Sequence, residues 1–279
     1  MEIKTLNGIA NELILDTFNL SFSDYFIPFR LTQEQLDSKM FADNVDLGLS
    51  VGVFEEGNLV AFILHGVNEA NGRKIIYNGG TGVIPQKRGL GLTAKMYSFI
   101  LPILKEKEVS ALWLEVISEN IPAIISYEKS GFQAVRKVFC YKGVLKVGET
   151  NTGIEIKKLD TYNWDIMKSF WDVSPTWQNS IPVLNKIEKD NISFGAYFHN
   201  KLIGYVIYNP NSKRIQQIAI DKNWRKQKIA STLISKIGKE PDSTISVINI
   251  DASAENLHDF FKKIGLDEHL GQIEMKLEI

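Results

Sequence analysis

The order of strands and helices read from the first half of this chain recurs in the second half, and that duplication limits the possible folds more than any other feature. Gly52-Val53-Phe54-Glu55-Glu56-Gly57-Asn58-Leu59-Val60-Ala61-Phe62 runs parallel to Gly195-Ala196-Tyr197-Phe198-His199-Asn200-Lys201-Leu202-Ile203-Gly204-Tyr205. Val83 and Arg88 stand at the same spacing as Ile220 and Arg225. A length of 279 residues suits two domains of ordinary size. We expect one domain over 1–142, a polar, glycine-bearing linker over 143–153, and a second domain over 154–279.

The local pattern sets the fold class. Residues 2–6 read as a strand, and 8–22 place Ile9, Leu13, Phe18 and Phe22 near helical spacing. Thr32 with Gln35 forms a capping box ahead of Leu36 and Met40. Apolar strands over 50–54 and 59–66 flank the turn Glu55-Glu56-Gly57-Asn58, and another strand covers 74–83. A helix follows over 89–107, perturbed near Pro102, then a strand over 111–116, a helix over 120–130 and a strand over 132–142. Hairpins followed by a βαβ crossover predict an α+β fold, with a mixed, mostly antiparallel sheet flanked by helices.

Charge and cysteine content exclude several roles. A formal net charge of -1 gives no electrostatic reason to expect nucleic acid or an anionic membrane as partner. The single cysteine, Cys140, allows no intrachain disulfide and suits a reducing compartment. The N-terminus has no basic head followed by an apolar stretch, and no run approaches the ~18 apolar residues of a spanning helix. A cytoplasmic location is the expectation.

The most informative stretch is Gly80-Thr81-Gly82-Val83-Ile84-Pro85-Gln86-Lys87-Arg88-Gly89-Leu90-Gly91-Leu92-Thr93. A strand runs into a turn with two glycines and then opens a helix, where free N–H groups and the helix dipole favour an anion. Glycine lets the backbone approach a phosphate closely, and Lys87 and Arg88 add charge. The prediction is a pyrophosphate site. A dinucleotide-binding fold does not fit, because it needs the chain's opening strand to lead into this turn and an acid about 20 residues on to close a parallel unit, and that context is not present.

These residues, together with Leu114-Glu115-Val116, Asn120 and the run from Ala123 through Tyr127 to Gly131-Phe132, resemble the GNAT N-acetyltransferases. Thr93 departs from the small residue that usually ends their turn signature, and the likeness is looser over 154–279. The resemblance implies two tandem acyl-CoA N-acyltransferase domains, the first catalytic, with acetyl-CoA as co-substrate and no metal. By the same resemblance, the backbone of Arg88, Gly89, Leu90, Gly91, Leu92 and Thr93 would hold the CoA pyrophosphate. The N–H of Val83 would polarise the thioester carbonyl, Asn120 would bond the pantetheine, and the Tyr127 hydroxyl would protonate the departing thiolate.

A base for the acceptor amine is harder to name. Glu115 shares a strand face with Trp113 and either points toward the acceptor or pairs with a surface lysine. His65 reads as a satisfied strand histidine or a second candidate. Asp24 and Tyr25 fall in a loop that lines acceptor pockets in the family the chain resembles.

The second half departs from the pattern. Lys228 stands where Gly91 stands in the first half, Phe261 replaces Tyr127, and Asn256 sits closer to Phe261 than Asn120 does to Tyr127. Turnover of CoA is therefore not expected there. A rival of another class is a non-catalytic acyl-CoA-binding regulatory module. The acceptor, a small-molecule or peptide amine, is not legible, and a homodimer stays open.

Overall fold

The structure is a computed structural model that describes residues 1–24, 30–70, 72–146, 148–237 and 243–279. Its compact units are Met1–Val135 with Ile273–Ile279, and Arg136–Gln272. The expected boundaries at 142 and 154 follow chain order, whereas the units exchange their closing strands.

In unit 1, strands β1 (Glu2–Thr5), β2 (Val51–Glu55), β3 (Asn58–Ala70) and β4 (Arg73–Val83) pair antiparallel in that order. Strand β5 (Val109–Ile117) joins β4 in parallel. Helices α1 (Asn11–Ser21) and α2 (Gln33–Ala42) cover one face, and α3 (Leu92–Glu106) and α4 (Ile121–Lys129) the other. Alternation along β3 explains both layers: Ala61 and Ile63 enter the core under α3, while Phe62 and Leu64 pack with Phe18 of α1. The predicted capping box forms, with Gln35 N–H donating to Thr32 Oγ1 at 3.2 Å and Thr32 N–H to Gln35 Oε1 at 2.9 Å. Helix α3 begins at Leu92, later than expected, because Gly89 and Gly91 adopt φ of +76° and +67°. It continues through Pro102, held on both sides by fully buried Ile100 and Leu104.

Residues 273–279 close unit 1. Ile273, Met275, Leu277 and Ile279 pack into its core, and the Ile279 N–H bonds the Ser110 carbonyl at 3.1 Å. Glu274, Lys276 and Glu278 alternate with them, a period-2 pattern that suits a strand with one apolar face.

In unit 2, β7 (Glu155–Lys158), β8 (Ile192–Phe198), β9 (Lys201–Asn209) and β10 (Arg214–Ile220) pair antiparallel. Strand β11 (Thr244–Asp251) is parallel to β10, and α5 (Trp164–Ser169), α6 (Ile181–Lys186), α7 (Ile229–Ile237) and α8 (Glu255–Lys263) are its helices. Strand β6 (Gln133–Val144) begins in unit 1 and continues in unit 2, where its residues 138–144 pair antiparallel with β11. Gly143 and Val144, expected in the linker, lie opposite Ile245 and Thr244 in that ladder. The final strand, β12 (Leu266–Glu278), starts in unit 2, with Leu266 fully buried in its core.

Candidate functional site

The site of unit 1 forms where β4 and β5 part. Their ladder ends at Tyr77 opposite Trp113, leaving residues 78–83 without a neighbour on that side in the ladder. The Ile84 N–H bonds the Val60 carbonyl at 3.0 Å. Bonded and non-bonded pairs alternate along an antiparallel ladder, so Val83, opposite Ala61, turns its N–H away from β3, as does Thr81 opposite Ile63. Both amides thus face the gap.

The turn after β4 delivers a second set of donors. Gly91 caps α3 in the left-handed region, with no side chain bonding the first turn. Among the described residues, none accepts from the backbone amides of Leu92, Thr93 or Ala94. A Cβ built on Gly89 or Gly91 would meet nothing within 4 Å, so the glycines serve the backbone twist and leave open space above it. Leu92 anchors the helix start in the core and Leu90 is exposed. The residues thus fit a phosphate group: unpaired amides, a helix N-terminus and room to approach.

Arg88 and Lys87 do not supply the charge expected of them. The Arg88 guanidinium donates to Asp24 Oδ1 and Oδ2 at 2.7 and 2.8 Å, to the Ser21 carbonyl at 2.9 Å and to the Val83 carbonyl at 3.3 Å. Its hydrogen bond holds the Asp24 carboxyl below the usual range. Lys87 is paired with Glu55. Arg88 is therefore a tie between the turn, the end of β4 and the end of α1. Asp24 is part of that tie, and Tyr25 lies outside the described residues.

Glu115 and Tyr127 come from opposite faces of the sheet. Leu114 and Val116 point into the core under α3 and α4, where the nearly buried Tyr127 sits edge-on to Tyr97 and Phe132. Glu115 points the other way, half-buried, and accepts a 2.6 Å hydrogen bond from the Tyr77 hydroxyl. Burial, opposed by that bond and helped by Glu274 and Asp43, raises its carboxyl to about 7. Such a group is poised to take a proton near neutral pH. Among the described residues it is paired with no surface lysine; Lys39 bonds Asp43 instead, at 2.6 Å.

Asn120 has a further task. Its side-chain oxygen accepts from the Ala123 N–H at 3.2 Å and caps α4, the helix that carries Tyr127. His65 is fully buried, its Nδ1 bonded to the Leu49 carbonyl at 2.8 Å, and burial lowers its titration to about 4. That leaves it uncharged. Sequence reasoning missed Tyr77 and Asp43, since nothing local marks a residue that approaches from another strand or helix.

Unit 2 repeats the tie. Arg225 donates to Asp172 Oδ2 at 2.7 Å, the Phe170 carbonyl at 2.9 Å and the Ile220 carbonyl at 3.2 Å. Lys226 and Lys228 take the left-handed turns, φ +59° and +62°, that glycines take in unit 1. The bend keeps its shape even so, and the Lys228 ammonium is paired with Glu149. A cavity of about 900 Å³ opens beside β10 and β11, lined in part by Trp171, Ile218, Ile220, Lys226, Asn249 and Phe260. Phe261 is fully buried and carries no hydroxyl.

No helix among the described residues is long and apolar enough to cross a membrane, and no group of three His, Cys, Asp or Glu among them could hold a metal ion. No curated protein matches the chain. Residues 14–132 match the acetyltransferase (GNAT) family, and residues 172–276 match an acetyltransferase (GNAT) domain. Among solved structures, a GCN5-related N-acetyltransferase from Sphaerobacter thermophilus is similar over 99% of this chain and 95% of its own, at 14% identity and TM-score 0.74. A putative acetyltransferase from Pyrococcus horikoshii covers 100% of this chain and 89% of its own, at 14% identity and TM-score 0.71. A tandem GNAT protein from the clavulanic acid biosynthesis pathway covers 99% and 98%, at 10% identity and TM-score 0.73. With both halves matched and the fold shared from end to end, the chain belongs to the GNAT acetyltransferase family.

Proposed function

We propose that this protein transfers an acetyl group from acetyl-CoA to a primary amine, and that unit 1 performs the chemistry. One observation carries the reading: the glycine bend opening α3 offers amides without an internal acceptor, next to the outward N–H groups of Thr81 and Val83. Acetyl-CoA supplies the activated thioester. The bend from Gly89 to Thr93 binds its diphosphate, and the Val83 N–H orients and polarises the acyl carbonyl. Glu115 takes the proton that an ammonium must lose before it can attack, and Tyr127 returns one to the thiolate sulfur.

The test is CoA release from acetyl-CoA with a panel of amines, comparing the wild type with Tyr127→Phe. The expected loss in kcat is about 100-fold with little change in KM, within the range for general acid help. Equal rates for the two proteins reject the acid role. Absence of any CoA-dependent stabilisation against heat rejects the reading as a whole.

A second reading is favoured by the cavity of unit 2: that unit binds an acyl-CoA without turning it over. Ile220, opposite Gly204, and Ile218, opposite Val206, direct their N–H groups away from β9, as Val83 and Thr81 do from β3. Phe261 has no proton to give. Two binding events by calorimetry, one of them surviving Gly91→Lys, support this; a single event lost in that variant opposes it.

A further inference from the structure

Tyr127 is backed by a buried polar cluster that is replaced mostly by apolar residues at the equivalent positions of the second half of the chain. Asn78 Nδ2 donates to the Tyr97 hydroxyl at 2.8 Å and to Thr81 Oγ1 at 2.8 Å, while Asn78 Oδ1 accepts from the Gly80 N–H at 3.0 Å. The Tyr97 ring lies edge-on to Tyr127, centroids 6.4 Å apart, and 6.2 Å from the His65 ring. Tyr97 is 1% exposed, His65 0% and Asn78 6%, so these groups are cut off from water. Because His65 donates from Nδ1 to a carbonyl, its Nε2 presents a lone pair, and that atom has no partner among the described residues.

Unit 2 offers an internal comparison. His65 faces Asn78 across β3 and β4, and the equivalent pair across β9 and β10 is Tyr208 with Ile215. Thr81, opposite Ile63, corresponds to Ile218, opposite Val206. Tyr97 stands nine residues after Arg88, and Ile234 nine after Arg225. Phe261 takes the place of Tyr127. Four of the five replacements are apolar, so the amide of Asn78, the imidazole of His65 and the hydroxyls of Thr81 and Tyr97 are not kept at their places where the acid is not kept. A buried polar network destabilises a core unless every member is satisfied, so apolar replacement is the natural outcome once its use is gone.

We infer that Tyr97 is a positioning residue for Tyr127, its hydroxyl oriented by Asn78 so that it can support the phenolate left when Tyr127 gives up its proton. The bond from Asn78 occupies a lone pair of the Tyr97 oxygen and leaves the Tyr97 proton to donate. Of the rings packed against Tyr97, those of His65 and Tyr127 carry an acceptor atom, and that of Phe132 does not. When Tyr127 transfers its proton to sulfur, its oxygen becomes the stronger acceptor, and the Tyr97 O–H turns toward it; solvent then reprotonates Tyr127 after the thiol departs. This inference rests on the acyltransferase reading above.

The experiment compares the wild type, Tyr97→Phe, Tyr127→Phe and the double variant, with acetyl-CoA as donor. Hydroxylamine serves as acceptor at mildly alkaline pH, where it is already uncharged and bypasses the base. Tyr97→Phe removes one oxygen and keeps the ring packed on Phe132. The expected result is a kcat about tenfold lower, a KM for acetyl-CoA within about twofold of the wild type, and a double variant no slower than Tyr127→Phe alone. A kcat within twofold of the wild type overturns the inference. So does a double variant slower than Tyr127→Phe by the full Tyr97→Phe factor, which marks independent effects. Should Tyr97→Phe lose stability, Thr81→Val, which loosens Asn78 while leaving Tyr97 whole, is expected to lower kcat with KM preserved, and an unchanged kcat there overturns the inference too. If the wild type releases no CoA, or Tyr127→Phe matches it, the acyltransferase reading itself has failed; a slow Tyr127→Phe beside a normal Tyr97→Phe fails only the present inference.

Discussion

Replacing Gly91 with alanine separates the two jobs of the glycine bend. At φ +67° a Cβ meets its own backbone, at about 1–2 kcal/mol for an L-residue in that region. The unfolded chain loses freedom when glycine becomes alanine, which offsets about 0.4–1 kcal/mol. No neighbour adds a clash, since nothing lies within 4 Å of the new methyl. The net loss of stability is therefore about 1 kcal/mol, measurable by urea unfolding. Unit 2 shows that the bend tolerates a side chain, because Lys228 holds φ +62° at the equivalent place. Binding is expected to suffer more. The methyl projects into the space through which a diphosphate must approach the amides of Leu92 and Thr93, and a tenfold weaker affinity for acetyl-CoA corresponds to about 1.4 kcal/mol. Calorimetric titration of acetyl-CoA provides the measurement. An affinity within twofold of the wild type, with stability lowered as stated, refutes the placement of the diphosphate at this bend. A stability loss above about 3 kcal/mol refutes the open space.

Three further outcomes follow from the same geometry. Glu115 titrates near 7 when folded against an ordinary value of 4.5, so the folded protein holds the extra proton between those limits. Its contribution to stability is full below about 4.5 and is lost as pH rises through 7, while kcat rises through 7; Glu115→Gln is expected to flatten both profiles, and a surviving limb in kcat assigns the base elsewhere. Arg88→Met is expected to lower stability by about 1–2 kcal/mol, because the Asp24 pair is exposed but two backbone carbonyls lose a donor. Its affinity for acetyl-CoA should stay within about threefold; a larger loss makes Arg88 a phosphate ligand. Gly143→Ala would place a Cβ 2.1 Å from the Gly265 carbonyl oxygen, a backbone atom that cannot swing aside, so loss of cooperative unfolding or at least about 3 kcal/mol is expected by urea titration. Wild-type behaviour there contradicts the assignment of Gly143 to a strand of unit 2.

Much of the fold is legible in the sequence. The capping box at Thr32 and Gln35, the hairpin across Glu55–Asn58 and the glycine bend after Val83 are local features, each dictated by a few neighbouring residues and by backbone sterics. The duplication was equally plain, as were the losses of Gly91 and Tyr127 in its second copy. What remained hidden were partners. A period-2 run such as Ile273–Ile279 announces a strand with one apolar face but not the sheet it joins, because alternation is the same whichever neighbour supplies the hydrogen bonds. Arg88 looked like a phosphate ligand because sequence shows its charge and not Asp24 beside it. The titration of Glu115 and the neutrality of His65 come from burial, a property of the surrounding layers. Sequence alone determined the elements and the bend; tertiary packing decided which strands close each unit and which groups carry charge, since both depend on atoms brought together from distant parts of the chain.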